Sequence, residues 1–472
     1  MLPTTALLLG LTGTALGFHV CQLIADEVSS VTDVYYPGSS SYVADNEHYA
    51  TSSSQVSKCS VEPGSAEDIG IILGILGKTK TPFGIKGGGH AINQGFSSTT
   101  GVQIAMTRFN EVTYDSATQT AVIGAGNIWD DVYELLNTQG VNVVGGRVTG
   151  VGVAGLTLGG GYSYLSNQYG LAIDNMVAYE LVVPNATVVT VTEENDPDLF
   201  FSLKGGFNNY GIITRFTLKA YPQGSVWGGG SSYNASYISA FNAATVKFSS
   251  EVTDPKAAMA MTYVYASGQV LLSALMFYDG PTPPDGIFDD FLTIPALTQD
   301  VTTRSFFDLI NATSVSINAA AGYRAVYNHI PTLEYSESII EGIFDELNFW
   351  GPTLSTHGAL SVTYAVEPFL PSLLTHAPAG SSAYPSSRDH VVFPTVVSLE
   401  WVSESEDDVF HDAARQTAKK LGVEGESIYP NYAIYDTPVV DMYGEEGMKR
   451  MEATRERVDP YSVMLLTGGF KV

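Results

Sequence analysis

Two glycine-rich stretches constrain this chain more than any other feature: Lys86-Gly87-Gly88-Gly89-His90-Ala91, which follows an apolar run, and Gly155-Leu156-Thr157-Leu158-Gly159-Gly160-Gly161. Clustered glycines let backbone N–H groups close on a phosphate with no Cβ in the way, and such concave sets of donors hold anions. The first stretch reads as a pyrophosphate cradle with a reactive imidazole, His90, at its edge. A third segment, Lys204-Gly205-Gly206-Phe207-Asn208-Asn209-Tyr210-Gly211-Ile212-Ile213-Thr214, continues the pattern. None has the Gly-x-Gly-x-x-Gly spacing of a Rossmann unit, and no Walker-type Gly-Lys-Ser/Thr is present. Another fold must build the phosphate site.

The rest of the chain predicts an α+β architecture. Ser65 caps a helix whose inner face carries Ile69, Ile72, Leu73 and Leu76. Strands follow at 102–106 and 120–124, and Asn127 opens a helix with Ile128, Val132, Leu135 and Leu136 that stops at Gly140. Residues 176–183 and 188–191 read as a hairpin. After Tyr221-Pro222 the texture changes to apolar or alternating runs at 258–265, 270–278, 360–366 and 391–401, with a helix at 407–421. These predict a second domain built on an antiparallel sheet. A chain of 472 residues has room for both cores and for a cleft between them.

Residues 1–17 carry an apolar run, Leu7-Leu8-Leu9 and Leu11, then small residues at Ala15-Leu16-Gly17. They read as a signal peptide, with the mature chain starting near Phe18. The run is too short to span a bilayer, and no membrane association is expected. Three sequons, at Asn185, Asn234 and Asn311, suit a secreted glycoprotein. The two cysteines, Cys21 and Cys59, form a disulfide in an oxidising compartment; closing that loop is worth about 4 kcal/mol in the chain-entropy model. A net charge of −27 repels polyanions, which excludes nucleic acid as a partner. The eight histidines show no ligand spacing, so no metal site is expected, and no Gly-x-Ser-x-Gly elbow marks a hydrolase.

The order of landmarks adds a resemblance. Cys59-Ser60-Val61-Glu62-Pro63, Lys86 to Ala91, Gly152-Val153-Ala154-Gly155 with Gly159 to Gly161, Tyr169-Gly170-Leu171-Ala172-Ile173-Asp174-Asn175, Gly205 to Thr214, Tyr429-Pro430-Asn431-Tyr432 and Val458-Asp459-Pro460 follow one another along the chain. In this order they resemble the berberine-bridge-enzyme-like FAD-linked oxidoreductases of the vanillyl-alcohol-oxidase superfamily, with the FAD-binding fold named after p-cresol methylhydroxylase. The resemblance implies a two-part FAD domain, residues 18–221 and 428–472, around an α/β substrate domain at 222–427 with a large antiparallel sheet.

It also implies site roles. Lys86, Gly87, Gly88, Gly89, His90, Ala91, Gly155, Gly159, Gly160, Ile213, Tyr429 and Asn431 would bind FAD, and His90 would carry a covalent bond to its 8α carbon. A neutral imidazole is nucleophilic near physiological pH. Many relatives add a second bond through a cysteine; the matching position here is Val148, so a single histidyl link is expected. Tyr432 would be the catalytic base, and a phenol needs a neighbour such as Lys86 or Arg147 to stabilise its phenolate. Glu400, alternating with Leu399 and Trp401, reads as a solvated strand position. The implied protein is a secreted, monomeric oxidase that passes hydride from an alcohol, a sugar or oligosaccharide, or a natural-product C–H to FAD, with O2 as acceptor. An oxidative cyclase of a secondary-metabolite pathway and a flavin scaffold without redox turnover are the alternatives.

Overall fold

The computed structural model describes residues 19–312 and 322–472; the leader, Phe18 and Thr313 of the third sequon lie outside the described residues. The first half begins with a four-stranded sheet in the order Asp33–Tyr35, Cys59–Glu62, Val102–Ala105, Phe83–Lys86. Its last three strands pair in parallel, an arrangement that needs a crossover, and the helix Ala66–Thr79 supplies it. Ser65 caps this helix as expected, its hydroxyl accepting the Asp68 N–H at 3.1 Å. The Asp68 carboxylate accepts in turn from the hydroxyls of Ser29 and Thr32, both at 2.6 Å, which pins the N-terminal segment to the helix start. The predicted face, Ile69, Ile72, Leu73 and Leu76, is fully buried. Cys21 and Cys59 are joined by a disulfide, so the chain holds no free thiol.

A six-stranded sheet follows, in the order Val112–Asp115, Thr120–Gly124, Ile212–Pro222, Met176–Val182, Val188–Val191, with Val141–Val143 also paired to Ile212–Pro222. The predicted hairpin is Met176–Val182 with Val188–Val191. The helix expected from Asn127 starts at Trp129 instead and ends at Asn137. Asn127 turns its side-chain amide back to the Gly124 carbonyl at 2.9 Å, a local bond that competes with helix entry. Leu135, expected on the inner face, is exposed.

The second half is a seven-stranded antiparallel sheet in the order Ala296–Arg304, Val226–Asn234, Gln269–Tyr278, Ala257–Ala266, Ala359–Val366, Phe393–Trp401, Arg324–Thr332. One face buries Met261, Tyr263, Leu272, Tyr364, Val397 and Trp401 beneath the helices Ile238–Glu251, Glu337–Ser355 and Asp407–Leu421. The opposite face alternates with it and carries small or polar residues, among them Thr262, Ser361, Thr363, Ala365 and Ser398, all half-buried. This face meets the first half, where Ala325 and Tyr327 pack on Tyr49, Ala50 and Ile92. After residue 427 the chain returns to the first half: Thr467 bridges Phe83, and a Cβ on Gly77 would lie 2.9 Å from Val463. Among the described residues, no helix is long and apolar enough to cross a membrane.

Candidate functional site

The strand Phe83–Lys86 delivers the first glycine stretch directly against the second. A Cβ on Gly88 would lie 2.5 Å from the Gly152 Cα, and one on Gly152 would lie 2.6 Å from the Gly88 nitrogen, so only glycine lets these backbones meet. Gly89 has φ +72° and passes close to the Lys86 side chain. Lys86 itself donates to the Ala44 carbonyl at 2.6 Å, and the cation that acts on Tyr432 is Arg147. Ala91 is half-buried beside His90.

The predicted residues of the second stretch divide. Gly155 is exposed, and a Cβ there would meet nothing within 4 Å. Gly159 and Gly160 instead make room for protein: a Cβ on Gly159 would fall 2.3 Å from the Asn431 Oδ1, and one on Gly160 would fall 2.8 Å from the Tyr384 ring. These glycines seat the C-terminal motif. Asn431 donates to the Leu156 carbonyl at 3.0 Å and to the Tyr429 hydroxyl at 2.9 Å, and it makes no bond to Tyr432. Ile213 lies in the apolar core of the six-stranded sheet, paired with Leu181; the carbonyl of the next residue, Thr214, accepts from the Ala125 N–H at 2.9 Å, and a Cβ on Gly87 would lie 3.0 Å from the Ala125 carbonyl oxygen.

His90 has a buried Nε2 with no hydrogen-bond partner among the described residues. Its ring stacks on Tyr49, with centroids 4.3 Å apart and planes at 15°. Burial lowers its pKa to about 4, so the imidazole is neutral at physiological pH.

Tyr432 meets two side chains that no sequence motif brings to it. Its hydroxyl donates to Glu367 Oε1 at 3.1 Å and accepts from Arg147 Nη2 at 3.1 Å. The same Nη2 donates to Glu367 Oε2 at 2.6 Å, closing a triangle whose ion pair is almost wholly buried. Glu367 follows directly on the strand Ala359–Val366 of the seven-stranded sheet, and Arg147 precedes the second glycine stretch. Burial, and next the charge of Glu367, push the Tyr432 pKa well above its ordinary value, with Arg147 pulling against them. Burial opposes the Arg147 cation, but Glu367 and Tyr432 outweigh it and hold the guanidinium above its ordinary range. The cation that Tyr432 needs is Arg147, yet its net effect leaves a protonated phenol rather than a phenolate. Glu400 is not a simple solvated position: it is half-buried, accepts from Ser361 at 2.9 Å, and burial raises its pKa.

Behind the C-terminal motif, His329 accepts the Tyr429 N–H at Nδ1, 3.1 Å away, and its Nε2 donates to the Phe393 carbonyl at 3.1 Å. Burial lowers its pKa to about 4. The unfolded chain takes up that proton near pH 6.5, so between these values it binds more protons than the folded one. Stability therefore falls as pH drops from 6.5 to 4, by about 3 kcal/mol from this group. Asp45, raised to about 6 by burial, has the opposite sign: its contribution is present at low pH and is lost as pH rises. Comparison with His329→Gln isolates the histidine: denaturant titrations across the window should show a shallower acid loss in the variant. Equal slopes would remove His329 as the cause.

A glycine-lined backbone contact, a neutral imidazole and a phenol held by an ion pair, on two halves of this topology, define a flavin-binding oxidoreductase. Residues 57–192 match the FAD binding domain family. The chain is 30% identical over 97% of both chains to an uncharacterized FAD-linked oxidoreductase of Arthroderma benhamiae. It is 28% identical to the FAD-dependent monooxygenase drtC of Aspergillus calidoustus, over 95% of this chain and 88% of that one. Its fold matches BBE-like 1 of Physcomitrella patens, with a TM-score of 0.74 at 20% identity over 94% and 97% of the two chains. The protein belongs to the FAD-linked oxidoreductases, with a fold shared by the berberine-bridge-enzyme-like proteins. Its residues fit that cofactor: among the described residues, nothing lies within 4 Å of a Cβ on Gly155, and Thr157 Oγ1 and His90 Nε2 are buried polar atoms without protein partners.

Proposed function

We propose that the protein is a secreted FAD-dependent oxidase that takes hydride from an alcohol, a sugar or a natural-product C–H and uses O2 as acceptor. In this reading His90 carries the single covalent link to FAD, and Lys86 to Ala91 with Gly155 hold the dinucleotide. The observation that carries it is the Arg147–Glu367–Tyr432 triangle, in which a proton acceptor and a donor converge from both halves of the fold. FAD held by these residues would supply the hydride acceptor and a route for the electrons to dioxygen. Tyr432 accepts the proton of the substrate O–H or polarised C–H while passing its own to Glu367, and Arg147 stabilises the charge that moves between them. A relay of this kind needs no resting phenolate, in keeping with the raised Tyr432 pKa.

Export is supported by the Cys21–Cys59 disulfide and by the exposure of Asn185, Asn234 and Asn311, the proposed glycosylation sites. The chain acts as a monomer on a small molecule or oligosaccharide. Purified protein should be yellow and should release hydrogen peroxide with a donor drawn from panels of sugars, alcohols and phenols. His90→Ala should bind FAD but lose it on acid precipitation, whereas the parent keeps its colour in the pellet. A variant that retains acid-stable flavin would refute the link.

A further inference from the structure

We propose that Tyr49 is the positioning residue for His90, holding the imidazole in the plane from which a ring nitrogen joins the flavin. The inference rests on the histidyl link proposed above and deepens it. Among the described residues, His90 Nε2 has no protein partner, and the ring bonds only its own backbone. Such a ring can turn about two torsions unless packing stops it. Tyr49 provides that stop, lying parallel to the imidazole at 4.3 Å with a 15° tilt.

Tyr49 is itself fixed from three sides. Its N–H donates to the Gly89 carbonyl at 2.9 Å, one residue before the histidine, and its carbonyl accepts from the Gly322 N–H at 2.9 Å. Its hydroxyl faces that of Tyr327, a half-buried residue of the seven-stranded sheet. Tyr327 stands edge-on to Tyr432, with centroids 6.3 Å apart. The plane of His90 is thereby referred, through two phenols, to the sheet that also supplies Glu367. Neutrality from burial keeps a nitrogen lone pair available in that plane.

Attachment forms one N–C bond at the 8α carbon and breaks one imidazole N–H and one methyl C–H. Two protons and two electrons leave, and dioxygen takes them up as hydrogen peroxide. A misplaced nucleophile slows bond formation steeply even where binding survives.

Full-length apoprotein is incubated with FAD, and bound FAD is followed by native absorbance while attached FAD is followed by in-gel fluorescence after denaturation. Tyr49→Leu keeps bulk but removes the ring face, and should bind FAD as the parent does while attaching it about 10-fold to 100-fold more slowly. Tyr49→Phe keeps the stack and both backbone anchors and should attach FAD much faster than the leucine variant, with at most a small loss against the parent. Tyr49→Met carries the same expectation as Tyr49→Leu should the leucine variant fail to fold. Parent-like attachment in a folded Leu or Met variant overturns the proposal, as does loss of FAD binding itself. A parent protein that never attaches FAD overturns the histidyl link instead, an outcome read before any variant is made.

Discussion

Tyr432→Phe is expected to slow reduction of bound FAD by substrate at least about 100-fold, the usual loss when a positioned proton acceptor is removed. The variant keeps the ring, its contacts with Tyr429 and Tyr327, and the Arg147–Glu367 ion pair, so it should fold and hold FAD normally. What disappears is one oxygen that bonds both Arg147 and Glu367. Anaerobic stopped-flow mixing with a working donor measures the effect directly, without the oxygen step. Glu367→Gln separates the two members of the relay, because glutamine can still bond Tyr432 but cannot receive its proton. Both variants should be slow if the phenol only passes the proton on. Reduction at the parent rate in Tyr432→Phe would leave the phenol a packing residue and would place the chemistry elsewhere.

Arg147→Met is expected to cost about 3–5 kcal/mol of stability, because it leaves the Glu367 carboxylate buried without its counter-charge. The pair is closed, with side chains 13% and 6% exposed, so water cannot replace the guanidinium. Arg147→Met combined with Glu367→Leu removes both charges and should recover most of the stability, as buried ion pairs replaced by apolar residues generally do. It should not recover activity. Denaturant titration of the two variants beside parent protein checks the pattern; an Arg147→Met protein as stable as its parent would mean that the buried pair contributes nothing to the fold.

Much of the flavin half was legible because its determinants are local. Ser65 and the apolar face behind it specify the crossover helix within a few residues. The glycines at 88 and 152 report a backbone contact that no other residue tolerates. Strand periodicity located Ala257–Ala266, Gln269–Tyr278 and Ala359–Val366 to within a residue or two. Gly159 and Gly160 show the limit of that signal: glycine marks a close approach but not what approaches, and here Asn431 and Tyr384 are among the neighbours. Glu367 carried no signal at all. It sits beside Pro368 at a strand end, in no motif, and its meaning comes from residues 220 positions before it and 65 after.

What the amino-acid order alone determined was the set of parts: a glycine-rich backbone, an imidazole, a terminal phenol and a sheet to face them. Local spacing encodes caps, turns and close contacts, so these could be read without coordinates. Which side chain neutralises which charge was decided only by tertiary structure, because electrostatic partners are selected by distance in space, and the chain brings Arg147, Glu367 and Tyr432 together only when both halves close. The same holds for the Tyr49 stack on His90, where a ring far earlier in the chain fixes the plane of the imidazole.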